Sequence, residues 1–458
     1  MREPTTLQQS QPPWLIRLLN NGAAALQKMG IGHSAVTAAA LIAAAQRRTG
    51  LDDFGQDDFF EPLSRLLESC HRDAKLNLMG RIALRADTLH CLRNRLLIER
   101  DRRDHPEIAR EEICSPLFIV GLPRTGTTIL HALLTADPHH RAPLTWEVME
   151  PSPLGDAKKR GRVRRAARSL SCLRWLAPAF PRLHAVGAEM PQECVSMMSL
   201  SFMSDQFDTM YNIPSYRAWF LQQDLAPAYE WHRRFLQHLQ FGRTARRWIL
   251  KAPAHMFALP DLLSVYPDAR FIQTHRAPLD AITSVSSLIT ILRRIFSDSV
   301  NPVEIGREAM RYWADTLETF MTERDRLPAD RVCDLPYADI KRDPIAAVRR
   351  VYAHFGWPLS DDAEARMRAV LDAQPPDQVS FHRYEPSQFG LQSGEMANLF
   401  ASYCDRFDLP VQEHPTVDHG PLQNAEAITP DVAFSLSDNG NTGVNEAGEN
   451  VPRRAMTG

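Results

Sequence analysis

Long apolar runs are missing from this 458-residue chain. The most apolar early stretch, residues 35–45, is far shorter than the roughly 20 residues that cross a bilayer, so no transmembrane segment is expected. The first thirty residues lack a basic start, an apolar core and a small-residue cleavage site, which argues against secretion by that route. Seven cysteines (Cys70, Cys91, Cys114, Cys172, Cys194, Cys333 and Cys404) contain neither a CxxC pair nor a recurring spacing. That excludes a zinc ribbon and a disulfide framework, and it fits a reducing compartment such as the cytoplasm. Charge excess is absent too: 53 Lys and Arg stand against 55 Asp and Glu, a net charge of -2. Global electrostatics therefore announce neither nucleic acid nor a membrane as a partner, and any charge-driven function must be local. No internal repeat of about 20 to 50 residues is visible.

What is present is ordinary globular material, 44% hydrophobic and 24% charged, enough to bury a large core. Apolar residues recur at helical spacing through the first 110 residues, as in Phe59, Leu63, Leu66 and Leu67, then Leu84, Leu89, Leu92 and Leu96. That predicts an all-helical N-terminal region, interrupted by a loop at residues 50–55. From Pro116 short apolar runs alternate with helical stretches, the rhythm of an α/β fold with a parallel sheet flanked by helices. The predicted strands are 117–120, 248–250, 270–274 and 331–335, and ligands in such sheets sit beyond the carboxyl ends of the strands. This second region runs from 111 to 410. Residues 411–458 turn to Asn, Gly, Ser, Glu and Asp, with Phe434 as the one aromatic, and read as a disordered tail.

The first strand leads into Gly121-Leu122-Pro123-Arg124-Thr125-Gly126-Thr127-Thr128, followed by a helical pattern at Ile129, Leu130, Leu133 and Leu134. Glycines at 121 and 126 let the backbone approach a ligand, the helix start offers free amides to an anion, and Thr127 and Thr128 add hydroxyl donors. The spacing is that of a P-loop, but Thr127 stands where a nucleoside triphosphatase carries lysine. Arg124 supplies a cation instead, and its planar guanidinium suits a tetrahedral oxyanion.

Residues 118–128 closely resemble the 5'-phosphosulfate loop of the sulfotransferase family, particularly its bacterial members and the tyrosylprotein branch. Tyr266-Pro267-Asp268-Ala269-Arg270-Phe271-Ile272-Gln273-Thr274-His275-Arg276-Ala277-Pro278 resembles the strand and turn whose arginine, with a serine eight residues on, holds the 3'-phosphate. Here that pair is Arg276 and Ser284. Leu335-Pro336-Tyr337-Ala338-Asp339-Ile340 is similar to the segment whose tyrosine lies near the adenine, which would be Tyr337. The resemblance covers residues 114–400. It implies a P-loop-type sheet, 3'-phosphoadenosine 5'-phosphosulfate as donor and no metal, with Gly121, Pro123, Arg124, Thr125, Gly126, Thr127, Thr128, Arg276, Ser284 and Tyr337 around the donor. Two departures stand out. Ala277 occupies a place where many relatives have Asp, and the Arg-Lys-Gly signature of the cytosolic branch is missing, leaving His382-Arg383-Tyr384 as the candidate for its place.

Sulfonate transfer needs an in-line acceptor, a base and a cation at the leaving group. Leu250-Lys251-Ala252-Pro253 resembles the family segment whose lysine faces the leaving group, and Glu147 in Pro143-Leu144-Thr145-Trp146-Glu147 is the leading candidate base. His184, Glu189 and Glu193 compete with it around Met190-Pro191-Gln192, a segment similar to an acceptor-side motif. The basic run at residues 158–168 precedes Leu170, Leu173, Trp175 and Leu176 and reads as an amphipathic helix: a solvated face, a flap over the acceptor site or a lipid-headgroup contact. The acceptor stays open between a small molecule, a carbohydrate and a lipid. A P-loop kinase and a non-catalytic nucleotide-binding protein are the rival readings.

Overall fold

Each predicted strand is buried on both faces, which is what a central parallel sheet requires. The computed structural model describes residues 13–28, 36–178, 180, 186–244, 246–373 and 385–412. In it β1 (Leu117–Gly121), β2 (His140–Arg141), β3 (Arg247–Lys251), β4 (Arg270–His275) and β5 (Val332–Pro336) form an all-parallel sheet in the order β2-β3-β1-β4-β5. The four predicted strands are thus all present, each within a residue or two of its expected ends. β2 escaped prediction because it is two residues long and holds His and Arg rather than an apolar run.

Side-chain alternation divides the interior in two. Phe118 and Val120 of β1, with Trp248, Leu250 and Phe271, belong to one core, and Leu117, Ile119, Ile249, Ile272 and Leu335 belong to the other. The helices α1 (Trp14–Lys28), α2 (Ala38–Thr49), α3 (Phe60–Arg72) and α4 (Leu78–Asp104) precede β1, and the first core takes in α2, α3 and α4: Leu41, Leu63, Leu92 and Leu96 lie in the same cluster as Phe118. The opposite face is closed by α5 (Thr127–Thr135) through Leu130, Leu133 and Leu134. The chain then forms α6 (Thr145–Met149), α7 (Lys159–Leu176) and α8 (Ala226–Gln240) before β3, and α9 (Pro278–Phe296) and α10 (Pro302–Arg324) between β4 and β5. Beyond β5 come α11 (Tyr337–Arg342), α12 (Pro344–Phe355), α13 (Asp361–Asp372) and, late in the chain, α14 (Ala401–Phe407).

The described residues all fall in one compact unit. The expected tail and His382-Arg383-Tyr384 lie outside the described residues, apart from 411 and 412 at the start of the tail. Among the described residues, no helix is long and apolar enough to cross a membrane.

Candidate functional site

β1 is the central strand, with β3 on one side and β4 on the other, so the loop leaving it opens where the connections diverge. Gly121 has φ +133°, and a Cβ there would lie 2.4 Å from the Thr274 hydroxyl oxygen and 2.5 Å from its carbonyl oxygen. Only glycine lets the end of β1 lie so close to β4. Gly126, at φ +85°, turns the chain into α5, whose first amides have no partner within the helix. Arg124 takes a left-handed φ of +70° between them, a conformation that costs a non-glycine residue on the order of 1 kcal/mol. Thr125 is fully buried and donates to the Leu122 carbonyl at 2.7 Å. Its hydroxyl therefore shapes the loop, and its amide is what a ligand could use.

The expected anion-binding residues come together around this loop. Arg124 Nε donates to Ser284 Oγ on α9 at 3.2 Å, and a terminal nitrogen of Arg276 donates to the Arg124 carbonyl at 2.8 Å. The Arg276 guanidinium lies 4.4 Å from the centre of the Tyr337 ring, and that ring also borders Gly126. Burial, with the Arg276 charge beside it, holds Arg124 below the ordinary arginine value. Arg276 is steadied from behind: its amide donates to the Tyr403 hydroxyl of α14 at 3.3 Å. The preceding residue, His275, stacks on Phe407 at 3.8 Å and donates from Nε2 to Asp334 at 2.8 Å. Arg324 grips both oxygens of that carboxylate, at 2.7 and 2.8 Å.

On the other side of β1, Lys251 ends β3 almost wholly buried. Its Nζ lies 3.4 Å from Thr128 Oγ1 on the loop and 2.5 Å from Glu193 Oε1. These three side chains border a cleft whose walls also include His131, Thr145, Val186, Met190, Pro191 and Gln192. The strand pairing accounts for the position of Glu193. β2 covers only Arg247 and Trp248 of β3, and the Cys194 amide reaches the Lys251 carbonyl at 3.0 Å. The segment before it is tied to the α6 approach by Trp146 N–Ala188 O, Thr145 N–Met190 O and Gln192 N–Pro143 O bonds of 2.8 to 2.9 Å.

Glu147 is placed differently. Its carboxylate accepts from Arg141 at 2.9 Å and from the Leu144 amide at 3.1 Å, lies 3.3 Å from Arg243, and is not among the cleft-lining groups. Glu189 is exposed, and His184 lies outside the described residues. Sequence reasoning passed over three groups here. His131 is buried and bonds the Ile249 carbonyl through Nε2 at 3.0 Å, which leaves Nδ1 as an acceptor in the neutral ring. Burial, with Lys251 nearby, pushes this imidazole down to about 3. Thr145 reaches the cleft two residues before Glu147. Asp205, near Glu193, is pushed up to about 7 by burial and by the Glu193 charge. Thr145 adjoins a motif that was read for its glutamate, and nothing in the local pattern marks His131 or Asp205.

Comparison with known proteins gives this arrangement its kinship. A crystal structure of a sulfotransferase from Mycobacterium tuberculosis superposes with a TM-score of 0.72 at 32% identity, covering 80% of this chain and 99% of that one. One from Mycobacterium avium gives 0.74 at 28% identity, covering 84% and 100%. An omega-hydroxy-beta-dihydromenaquinone-9 sulfotransferase of Mycobacterium tuberculosis is 28% identical over 261 residues, 53% of this chain and 62% of the relative. The sequence model of the sulfotransferase family matches residues 116–361, which span the loop, the Arg276 turn, Lys251 and Tyr337. By that match and by the shared fold, the chain belongs to the sulfotransferase family.

Proposed function

We propose that the chain transfers a sulfonate group from 3'-phosphoadenosine 5'-phosphosulfate to the hydroxyl of a lipid-like alcohol. The observation that carries this reading is the position of Lys251, which touches Thr128 of the anion loop on one side and Glu193 of the cleft on the other. A lysine so placed serves the leaving oxygen of a donor and the acceptor at once. The donor's chemistry fits the residues: two anionic ends for Arg124 and Arg276, loop amides for the phosphosulfate, and the Tyr337 ring beside Arg276 for a purine. The relative's name specifies an omega-hydroxy menaquinone derivative as its acceptor, and Val186, Met190 and Pro191 give this cleft an apolar wall.

The donor supplies an electrophilic sulfur and a leaving adenosine bisphosphate. Lys251 meets the charge that grows on the leaving oxygen, where a fixed cation acts on the transition state more than on the ground state. We assign the acceptor's proton to Glu193 in preference to Glu147. Glu193 stands on the cleft, and as Lys251 turns toward the loop the carboxylate is released to take a proton. Glu147, held by Arg141 and Arg243, fixes the turn that leads to Thr145.

Calorimetric titration tests the donor site. Adenosine 3',5'-bisphosphate should bind in the presence of a chelator, and at about a hundred times its Kd it should add about 2.7 kcal/mol of stability. Tighter, magnesium-dependent binding of ATP would replace this reading with a kinase.

A further inference from the structure

The basic run of the sequence forms α7, and its arginines divide into two groups. Arg162 is 1% exposed, donates to the carbonyls of Glu150, Pro153 and Gly155 at 2.7 to 2.8 Å, and lies 4.6 Å from the centre of the Trp146 ring. Arg165 shares Glu150 with Arg93. These two fasten the helix, and Ala166 and Leu170 continue its buried stripe. Arg160, Arg164, Arg168 and Arg174 are exposed, and among the described residues no carboxylate lies within ion-pair distance of any of them. At helical spacing Arg160, Arg164, Arg168 and Trp175 fall on one face, opposite the buried stripe. Trp175 is 50% exposed. In a chain of net charge -2, this stripe is a local concentration of positive charge that ends in an exposed indole.

We propose that the outer face of α7 binds an anionic lipid surface. Arginines match phosphate headgroups, and an indole at the end of the same face suits the boundary between headgroups and acyl chains. The location is apt, because Arg162 rests on Trp146, the neighbour of cleft residue Thr145, and Val186 of the cleft wall follows α7 by ten residues. A helix held to the cleft in this way brings the site to the surface where a lipid alcohol resides. The inference rests on the lipid-alcohol reading for its purpose but not for its measurement.

The test is co-sedimentation of the full chain with phosphatidylcholine vesicles, with and without phosphatidylglycerol at about one lipid in three. Wild-type protein should bind the anionic vesicles alone, and binding should weaken as salt rises. Arg160→Glu/Arg164→Glu/Arg168→Glu should lower the partition coefficient by on the order of 100-fold, each arginine near an anionic surface contributing about fivefold. Trp175→Ser alone, which needs no charge reversal to fold, should lower it about tenfold. Both variants should keep the wild-type affinity for adenosine bisphosphate and the wild-type rate on a short-chain, water-soluble alcohol. Failure of those two solution assays in the wild type would sink the sulfonate-transfer reading and leave the vesicle result standing. Equal binding to neutral and anionic vesicles, or undiminished binding by the α7 variants, overturns the lipid-surface inference; the latter would pass the contact to another face, such as exposed Trp14 and Leu18 of α1. Binding to duplex nucleic acid with none to vesicles overturns it as well.

Discussion

At the scale of single residues, the two glutamates separate most clearly in a rate measurement. Glu193→Gln keeps the size and hydrogen bonding of the side chain and removes the proposed proton acceptor, so single-turnover transfer should slow by about 100-fold or more with bisphosphate affinity nearly unchanged. Glu147→Gln should instead lower the melting temperature, because Arg141 and Arg243 lose a buried charge partner, an effect of about 3 kcal/mol. A wild-type rate for Glu193→Gln beside a collapsed rate for a folded Glu147→Gln would reverse the assignment. Lys251→Ala should cut the rate at least as far as Glu193→Gln. Arg276→Ala, which removes a charged contact from the anion site, should weaken bisphosphate binding about 10- to 100-fold. Arg124, Arg276, Ser284 and Lys251 were singled out in the sequence by the resemblance of their segments to those of the family, and the structure draws the first three together beside the loop. The choice between Glu147 and Glu193 was not legible. It depends on which carboxylate the Arg141–Arg243 pair engages, a contact between residues about a hundred positions apart.

At the scale of elements, α14 acts as a buttress for Arg276, a residue 127 positions before its Tyr403. Tyr403→Phe removes the oxygen that receives the Arg276 amide while keeping the ring against His275. Bisphosphate affinity should drop severalfold, in line with one hydrogen bond of about 1 kcal/mol, with little change in melting temperature. An unchanged affinity would mean that the Tyr403 bond does not set the position of Arg276. Phe118→Ala, at the centre of the sheet, should do the opposite. It lies edge-on to His255 at 4.9 Å and beside Phe271, so its loss should cost about 3 to 5 kcal/mol of stability. The strands were readable because β1 is a continuous apolar run and β3, β4 and β5 each carry a short one, at Trp248-Ile249-Leu250, Phe271-Ile272 and Val332-Cys333. β2 was not, since it is a polar dipeptide: His140 meets the Arg247 side chain at 3.1 Å and Arg141 lies over the Trp248 ring, contacts that no local pattern announces. The N-terminal helices were readable from their period, but their membership of the core that holds Phe118 was not, because periodicity tells which face is apolar and not what it meets.

At the scale of the whole molecule, acid should be the weakness. Burial pushes His131 and His232 down to about 3 and His238 to about 4, and it also holds His255 well below its ordinary value. Each of these rings stays neutral in the folded chain where it would charge in the unfolded one. Their stability is complete above pH 6.5 or so and falls as the pH drops through 6.5 toward 4, by about 1.4 kcal/mol per pH unit for each proton. Asp87, pushed up to about 6, and Asp205, up to about 7, work the other way, since the folded chain keeps protons that the unfolded chain releases. Burial also holds His90, His140 and His275 below their ordinary value and Asp261 above its own, so the lowered histidines outnumber the raised carboxyls. The melting temperature should therefore decline steeply between about pH 6 and 4.5, and His232→Gln should flatten the slope. A level profile over that range would contradict the buried neutral rings. Another whole-molecule consequence follows from the shortness of β2. Past Trp248, among the described residues, no strand lies beside the outer edge of β3, and the Cys194 amide covers the Lys251 carbonyl there. An uncovered strand edge is a template for pairing with other chains. The segment that presents Glu193 to the cleft therefore also guards the molecule against self-association, and substitutions that loosen residues 188–194 should reveal themselves as aggregation on storage before the fold itself melts.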